Sequence, residues 1–131
     1  MATRSSIGAR QKDGTIKEIY CHWDGYPECV GATLAEHYTD PEKVAQLLDL
    51  GDLSSLENTI EETYLTSFGR RGEAKNEAQT HESEEQWEAV ALESGIEFLY
   101  LFKFNPFAKA YEWSFFSVSP RWVKLPSKVM A

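Results

Sequence analysis

The sequence predicts an α+β fold, in which an antiparallel sheet of about four to five strands carries three to four helices on one face. A turn signal near the N-terminus separates two runs that suit strands, and apolar residues recur at helical spacing through the middle of the chain. After Gly95 the pattern changes to an alternation with aromatic residues on one face, which indicates a strand. The 131 residues suffice for one core, so residues 1–131 are expected to form a single domain.

The first element is predicted to be a β-hairpin. Asp13-Gly14 suits the two-residue turns that join antiparallel strands. The second strand is expected over residues 15–23, where side chains alternate between the two faces of the sheet. The predicted core face holds Ile19, Cys21 and Trp23, and the opposite face holds Glu18, Tyr20 and His22.

Two helices are predicted to follow the hairpin. Pro27 suits the first turn of a helix over residues 27–38, and Asp24 could cap it. Asp40 is the expected N-cap of the second helix, with a proline at the first helical position, and Gly51 supplies its C-terminal stop.

The second half of the chain is predicted to contribute two more helical segments and three strands. Residues 52–80 are interpreted as partial helix followed by a mobile loop. Residues 83–86 form a capping-box pattern that opens a helix ended by Gly95. The expected strands are a central one over residues 96–104 and two further ones at 110–118 and 121–125.

Acidic side chains are concentrated in the middle of the chain. The net charge is −8 overall, and residues 24–100 contain eighteen acidic and four basic residues, while both flanking segments are net positive. Such a segment repels nucleic acids and anionic membranes and attracts basic surfaces, so no direct nucleic-acid contact and no membrane association are expected. The candidate partner-binding acidic face consists of Glu57, Glu61, Glu62, Glu82, Glu84, Glu85 and Glu88.

No targeting signal is recognisable in the sequence. The N-terminus MATRSSIGAR has no apolar core typical of a secretory signal, and the longest apolar run, FLYLF, has the length of a strand. A cytoplasmic protein with reduced cysteines is therefore expected.

Four residues suggest a metal site or a nucleophile, because thiols and imidazoles bind zinc and a histidine can activate a thiol. They are Cys21, His22, Cys29 and His37. However, the cysteines are eight positions apart, and neighbouring residues on a strand point to opposite faces. Buried free cysteines are the favoured interpretation, and neither a catalytic residue nor a metal or other cofactor is expected.

Two smaller groups are also candidates for binding. Arg70 and Arg71, between two glycines, offer adjacent guanidinium groups to an anion, although they can equally pair with neighbouring carboxylates. Tyr20, His22 and Tyr26 form a polar and aromatic set that could be a contact patch.

The sequence resembles a family of small proteins from phages, prophages and other mobile elements. The resemblance rests on the hairpin entry DGTIKEIYCHWDGYP, a helix that ends in EHY, the segment LGDLSSL and the tetrapeptide RRGE, with the strand IEFLYLF as a weaker match. It covers residues 4–104 and carries over no catalytic residue. It implies a short protein made by an element that must survive inside a bacterial cell, where proteins of this kind often inhibit host defence.

The leading hypothesis is a non-enzymatic acidic protein that inhibits a host defence complex by occupying its basic nucleic-acid-binding surface, as an anti-CRISPR or anti-restriction protein does. The alternative is a small enzyme or metal-binding protein centred on Cys21, His22, Cys29 and His37, with Arg70 and Arg71 as anion binders. A structural or assembly accessory of the element is a third possibility. The sequence does not indicate an oligomeric state.

Overall fold

A computed structural model of the protein describes residues 3–69 and 77–117 and the backbone of residues 123–124. Its strands are β1 (Ser5–Arg10), β2 (Ile16–Cys21), β3 (Gln79–His81), β4 (Phe98–Asn105), β5 (Ala110–Phe116) and the two-residue β6 (Val123–Lys124). A π-helical turn, Pro27–Gly31, leads directly into the first of four helices. The helices are α1 (Ala32–His37), α2 (Pro41–Asp49), α3 (Ile60–Leu65) and α4 (Glu84–Glu93). The α+β class is confirmed, as is the expected number of helices, and five strands are longer than two residues.

The strands form one sheet in the order β3-β2-β1-β4-β5-β6. All neighbouring pairs are antiparallel except β1 and β4, which are parallel, with Ile7 opposite Tyr100. The prediction of an antiparallel sheet is therefore wrong at this pair. The segment between β1 and β4 contains β2, β3 and helices α1 to α4. Because a connection of that length does not force the chain to reverse in a tight turn, β4 can pair with β1 in a parallel or an antiparallel direction.

Helices cover both faces of the sheet, so the prediction that all of them pack on one face is wrong. Tyr100 and Phe102 of β4 point into a core cluster with α1 and α2, whereas Leu99 and Leu101 point into a second cluster with α4. A strand buried on both faces has a continuous apolar run rather than an alternating one, and the segment FLYLF in β4 has that pattern.

The two sides of the sheet differ in what fills them. On the α1–α3 side, the side that carries helices α1, α2 and α3, the core is apolar and is centred on Leu34, Tyr38 and Leu47. On the α4 side, the opposite face, Trp87 and Ala91 of α4 pack against a smaller apolar set. Helices α2 and α4 therefore each bury apolar residues against opposite faces of the same sheet, and α3 packs next to α2.

Local capping signals explain most of the helix boundaries. The carboxylate of Asp40 accepts a hydrogen bond from the backbone N–H of Glu42 at 2.9 Å, and the hydroxyl of Ser83 accepts one from the N–H of Gln86 at 3.1 Å, so both predicted caps are confirmed. The expected cap from Asp24 is wrong. The π-helical turn has no side-chain cap, and it is the backbone carbonyl of Asp24 that accepts a hydrogen bond from the N–H of Val30.

None of the helices in the described part of the chain has the length and apolar character that crossing a membrane requires.

Candidate functional site

A strained corner follows β2. After Cys21 the chain leaves the sheet, and the backbone N–H groups of His22 and Trp23 bond to carbonyls in the segment that precedes α3. Asp24 then adopts a φ of 56°, in the left-handed region that side chains other than glycine rarely occupy. Gly25 is packed so closely that an added Cβ would lie 2.7 Å from the carbonyl oxygen of Thr3. Strained backbone of this kind is concentrated at functional sites, which makes the corner a candidate.

Aromatic rings are exposed at this corner. The hydroxyl of Tyr20 lies 2.6 Å from Nδ1 of His22, and the ring of His22 meets that of Trp23 edge-on at a centroid distance of 4.8 Å. Trp23 is 44% exposed and Tyr26 is 36% exposed. We call Tyr20, His22, Trp23 and Tyr26 the aromatic corner.

The structure changes the membership of the predicted contact patch. Tyr20 and His22 are in direct contact, as their spacing of two residues implied, but Tyr26 lies beside Cys29 instead. A hydrogen bond from the hydroxyl of Tyr26 to the sulfur of Cys29 is the main cause that raises the pKa of Tyr26 to about 12. The prediction that Trp23 is a core residue is wrong, because β2 ends at Cys21 and the alternation stops there.

The four candidate metal or nucleophile residues do not form a cluster. Cys21 is fully buried, and burial raises the pKa of its thiol to about 12, so the thiol stays protonated and inert near neutral pH. His37 pairs instead with the neighbouring Glu36, at 3.8 Å between Nε2 and Oε2. Within residues 3–69 and 77–117, no three histidine, cysteine, aspartate or glutamate side chains are arranged to hold a metal ion.

The structure brings three of the seven candidate acidic residues together. Glu57, Glu61 and Glu62 lie around the buried hydroxyl of Tyr38, which donates a hydrogen bond to the carbonyl oxygen of Glu57 at 2.8 Å. Burial is the main cause that raises the pKa of Tyr38, and the negative charges of these three carboxylates raise it further. These residues therefore share the α1–α3 side.

The other four candidate acidic residues lie on the opposite side of the sheet. Glu82 precedes α4, while Glu84, Glu85 and Glu88 lie on it, and Glu84 forms an ion pair with Arg10 of β1. The seven residues thus belong to two separate surfaces rather than to one face.

The segment that supplies helices α1 to α3 is strongly acidic, although one of its carboxylates, Asp52, lines the α4-side cavity and another, Asp49, pairs with Lys17. Residues 24–65 contain ten acidic residues and one basic residue, Lys43. The ammonium of Lys43 lies 4.6 Å from the centre of the Tyr38 ring. Several carboxylates on helices α1 to α3 and just before α3 are exposed or half-exposed. We call this group the acidic layer, and its members include Glu36, Glu42, Glu57, Glu61 and Glu62.

A buried polar chain that sequence reasoning missed lies on the α4 side. The indole N–H of Trp87 donates to the hydroxyl of Ser6 at 2.9 Å, and this hydroxyl donates to Oε2 of Glu18 at 2.6 Å. The other oxygen of Glu18 lies 3.1 Å from Nε2 of His81. Pairing of β2 with the short strand β3 brings His81 next to Glu18. In the sequence, the only indication of this polar chain was that Ser6 and Glu18 lie on the same face of the hairpin.

The polar chain lines a cavity of about 160 Å³, to which Tyr20 and Asp52 also contribute. In nucleophilic catalysis a histidine must contact the serine hydroxyl, whereas here the carboxylate of Glu18 stands between Ser6 and His81. The arrangement is therefore not a Ser-His pair, and its hydrogen bond from Trp87 to Ser6 links α4 to β1.

Arg70 and Arg71, the candidate anion clamp, lie outside the described residues.

The chain matches no family model, no curated protein and no solved structure. A function must therefore follow from the residues and geometry of the chain itself.

Proposed function

We propose that the protein is a non-enzymatic inhibitor of mobile-element origin, which acts in the cytoplasm of a bacterial host by occupying the basic nucleic-acid-binding surface of a defence complex. The observation that supports this proposal is the acidic layer, since ten acidic residues and one basic residue occur over residues 24–65. A CRISPR–Cas or restriction component is the expected class of partner.

The charge of the acidic layer is suited to this kind of partner. A surface that binds DNA or RNA presents lysine and arginine side chains to phosphates, and a dense set of carboxylates meets the same side chains. Complementary charge also speeds the encounter of two proteins and rejects partners of like charge.

The aromatic corner supplies anchors next to the acidic layer. The backbone N–H of Trp23 donates to the carbonyl oxygen of Ser54 at 2.9 Å, and Ser54 lies three residues before Glu57. Exposed tryptophan and tyrosine rings contribute a large share of binding energy at protein interfaces, and their faces also attract guanidinium groups. An acidic surface beside aromatic anchors therefore matches an arginine-rich partner.

A capture experiment followed by competition tests the proposal. The tagged protein is incubated with extract from bacteria that carry CRISPR–Cas and restriction systems, and the recovered partner is purified. We expect a nucleic-acid-binding protein whose own DNA or RNA competes with this chain for binding, with an affinity that falls as salt is raised. Simultaneous binding of nucleic acid and this chain would contradict the proposal.

The division of the acidic residues provides a matched pair of variants. Glutamine removes the charge but keeps an oxygen acceptor, so both variants should fold. We expect the α3-side triple variant E57Q/E61Q/E62Q to weaken partner binding at least about tenfold, whereas the α4-side triple variant E82Q/E85Q/E88Q stays within about twofold of the native affinity. Equal losses in the two variants would show that net charge, and not the acidic layer, determines binding.

A further inference from the structure

A second surface feature lies at the end of the molecule where the β1–β2 hairpin turns. Here a groove of about 210 Å³ runs between α2 and the sheet. Val44 and Leu48 of α2 and Phe102 of β4 give it an apolar floor, because all three are buried core residues. Such a floor favours a ligand with an apolar part.

One wall of the groove is aromatic and flat. The rings of Phe102 and Tyr111 are stacked, with centroids 5.0 Å apart and planes that differ by 5°. Tyr111 is 47% exposed, so its ring is accessible from solvent. A flat and partly exposed ring provides a stacking surface for a planar ligand.

The rim of the groove is positive. Lys12 and Lys17 line it, and Arg10 also lines it although its guanidinium pairs with Glu84 on the α4 side. Arg10 pairs with Glu84, and Nζ of Lys17 lies 3.1 Å from the carboxylate of Asp49. Both are exposed or half-exposed pairs, which contribute little and can exchange partners at small cost. No ion pair of Lys12 is present in the part of the chain that the structure describes.

We propose that this groove binds a small free molecule that consists of a planar ring bearing a phosphate or carboxylate. The apolar floor and the stacked rings would hold the ring, and Lys12 and Lys17 would hold the anionic group. The volume is below that of pockets for drug-sized ligands, which limits the ligand to one ring with a short substituent. This site is on the hairpin end of the molecule and is independent of the proposed inhibitory function.

Phenyl phosphate is the probe, and inorganic phosphate and phenol are its two halves. Each is titrated into the full-length protein, with affinity measured by calorimetry and location by amide chemical shifts in NMR spectra. We expect phenyl phosphate to bind at least about tenfold more tightly than either half, with the largest shifts at residues 10–17 and 44–48. Equal affinity for phosphate and phenyl phosphate, or shifts centred elsewhere, would overturn the proposal.

Variants at exposed positions separate the two halves of the site. Ala45 lies on the solvent side of α2 and lines the groove, so A45F fills the space without entering the core and should abolish binding. K12Q/K17Q should weaken binding of phenyl phosphate about tenfold while leaving phenol unaffected. K109Q removes a positive charge from the β4–β5 turn, at a residue that does not line the groove, and should change nothing. Native affinity in both A45F and K12Q/K17Q would overturn the proposal.

Discussion

The two sides of the sheet are stabilised in different ways. Among residues 3–69 and 77–117, the α1–α3 side buries fourteen residues in one apolar cluster, whereas the corresponding cluster on the α4 side has six. The α4 side adds a buried polar chain from Trp87 through Ser6 and Glu18 to His81. The α1–α3 side also has buried hydrogen bonds, such as the one from the indole N–H of Trp113 to the carbonyl oxygen of Tyr38 at 2.8 Å, but they accompany a larger apolar cluster. This contrast indicates that the smaller α4 interface depends more on directional hydrogen bonds than the α1–α3 side does.

Thiol reactivity tests how well the α1–α3 side excludes water. Cys21 belongs to its core, and burial raises the pKa of its thiol to about 12, so the thiol is protonated at pH 8. Cys29 is only partly buried. We expect a thiol reagent to modify one cysteine of the native protein, Cys29, and both after denaturation.

Fast modification of two thiols in the native protein would contradict the assignment of Cys21 to a closed core. Peptide mapping of the modified protein identifies which cysteine has reacted.

Truncation of a core leucine tests the apolar character of the α1–α3 side. Leu47 of α2 is fully buried, so Leu47→Ala should lower the free energy of unfolding by about 2–5 kcal/mol, through lost burial and the cavity left behind. Chemical denaturation measures the change. Val90 of α4 is exposed, and Val90→Ala is the control, with an expected change within about 0.5 kcal/mol. Similar losses in the two variants would show that Leu47 is not part of a tightly packed core.

A double-mutant cycle tests whether the α4 side depends on its polar chain. Trp87→Phe keeps most of the apolar volume but removes the indole donor, and Ser6→Ala removes the hydroxyl that accepts from it. Each change should cost about 1–3 kcal/mol, because a buried polar group loses its partner.

The double variant should cost at least about 0.5 kcal/mol less than the sum of the single changes, since both remove the same hydrogen bond. Strict additivity would show that the hydrogen bond contributes nothing and that α4 is held by apolar contacts alone.

The smallest expected effect concerns Asp52, at the edge of the α4-side cavity. Burial raises the pKa of its carboxyl above the ordinary value of 3.8. The hydrogen bond that the carboxylate accepts from the N–H of Tyr20 lowers this pKa, and the negative charge of Glu18 raises it. A folded-state pKa above the unfolded value means that the folded state binds the proton more tightly. The contribution of Asp52 to stability is therefore fully present below pH 3.8 and is lost as the pH rises through the raised pKa.

Asp52→Asn keeps an acceptor for the N–H of Tyr20 and carries no charge. We expect this variant to be slightly more stable than the native protein at pH 7, with a difference that disappears as the pH falls below 3.8. Thermal unfolding at both pH values measures the difference. A variant that is less stable than the native protein at pH 7 would show that the ionised carboxylate stabilises the fold, contrary to the expected sign.

Local signals predicted the elements well because they depend on neighbours along the chain. The hairpin turn at Asp13-Gly14, the caps Asp40 and Ser83 and the alternation through β4 all lie within a few residues of what they determine. The prediction of a two-residue turn is wrong in length, because Arg10 pairs with Ile16 and residues 11–15 form the loop. The parallel pairing of β1 with β4 and the placement of α4 on the second face depend on contacts between distant segments, which no local pattern encodes. The apolar run FLYLF was the one local sign that both faces are buried.

The candidate site was predictable to a similar extent. The contact between Tyr20 and His22 follows from their spacing of two residues, whereas the exposure of Trp23 depends on where β2 ends, which is set by pairing with distant segments. The acidic residues were grouped by composition, and composition does not tell on which side of a sheet a helix packs. The division of these residues between α3 and α4 therefore required the structure.

Hydrogen–deuterium exchange of the protein, alone and bound to the captured partner, tests whether the acidic layer is the contact face. We expect slower exchange on binding in α1 and α3 and at the aromatic corner, with the exchange of α4 unchanged. Slower exchange confined to α4, with α1 and α3 unaffected, would contradict the proposed role of the acidic layer.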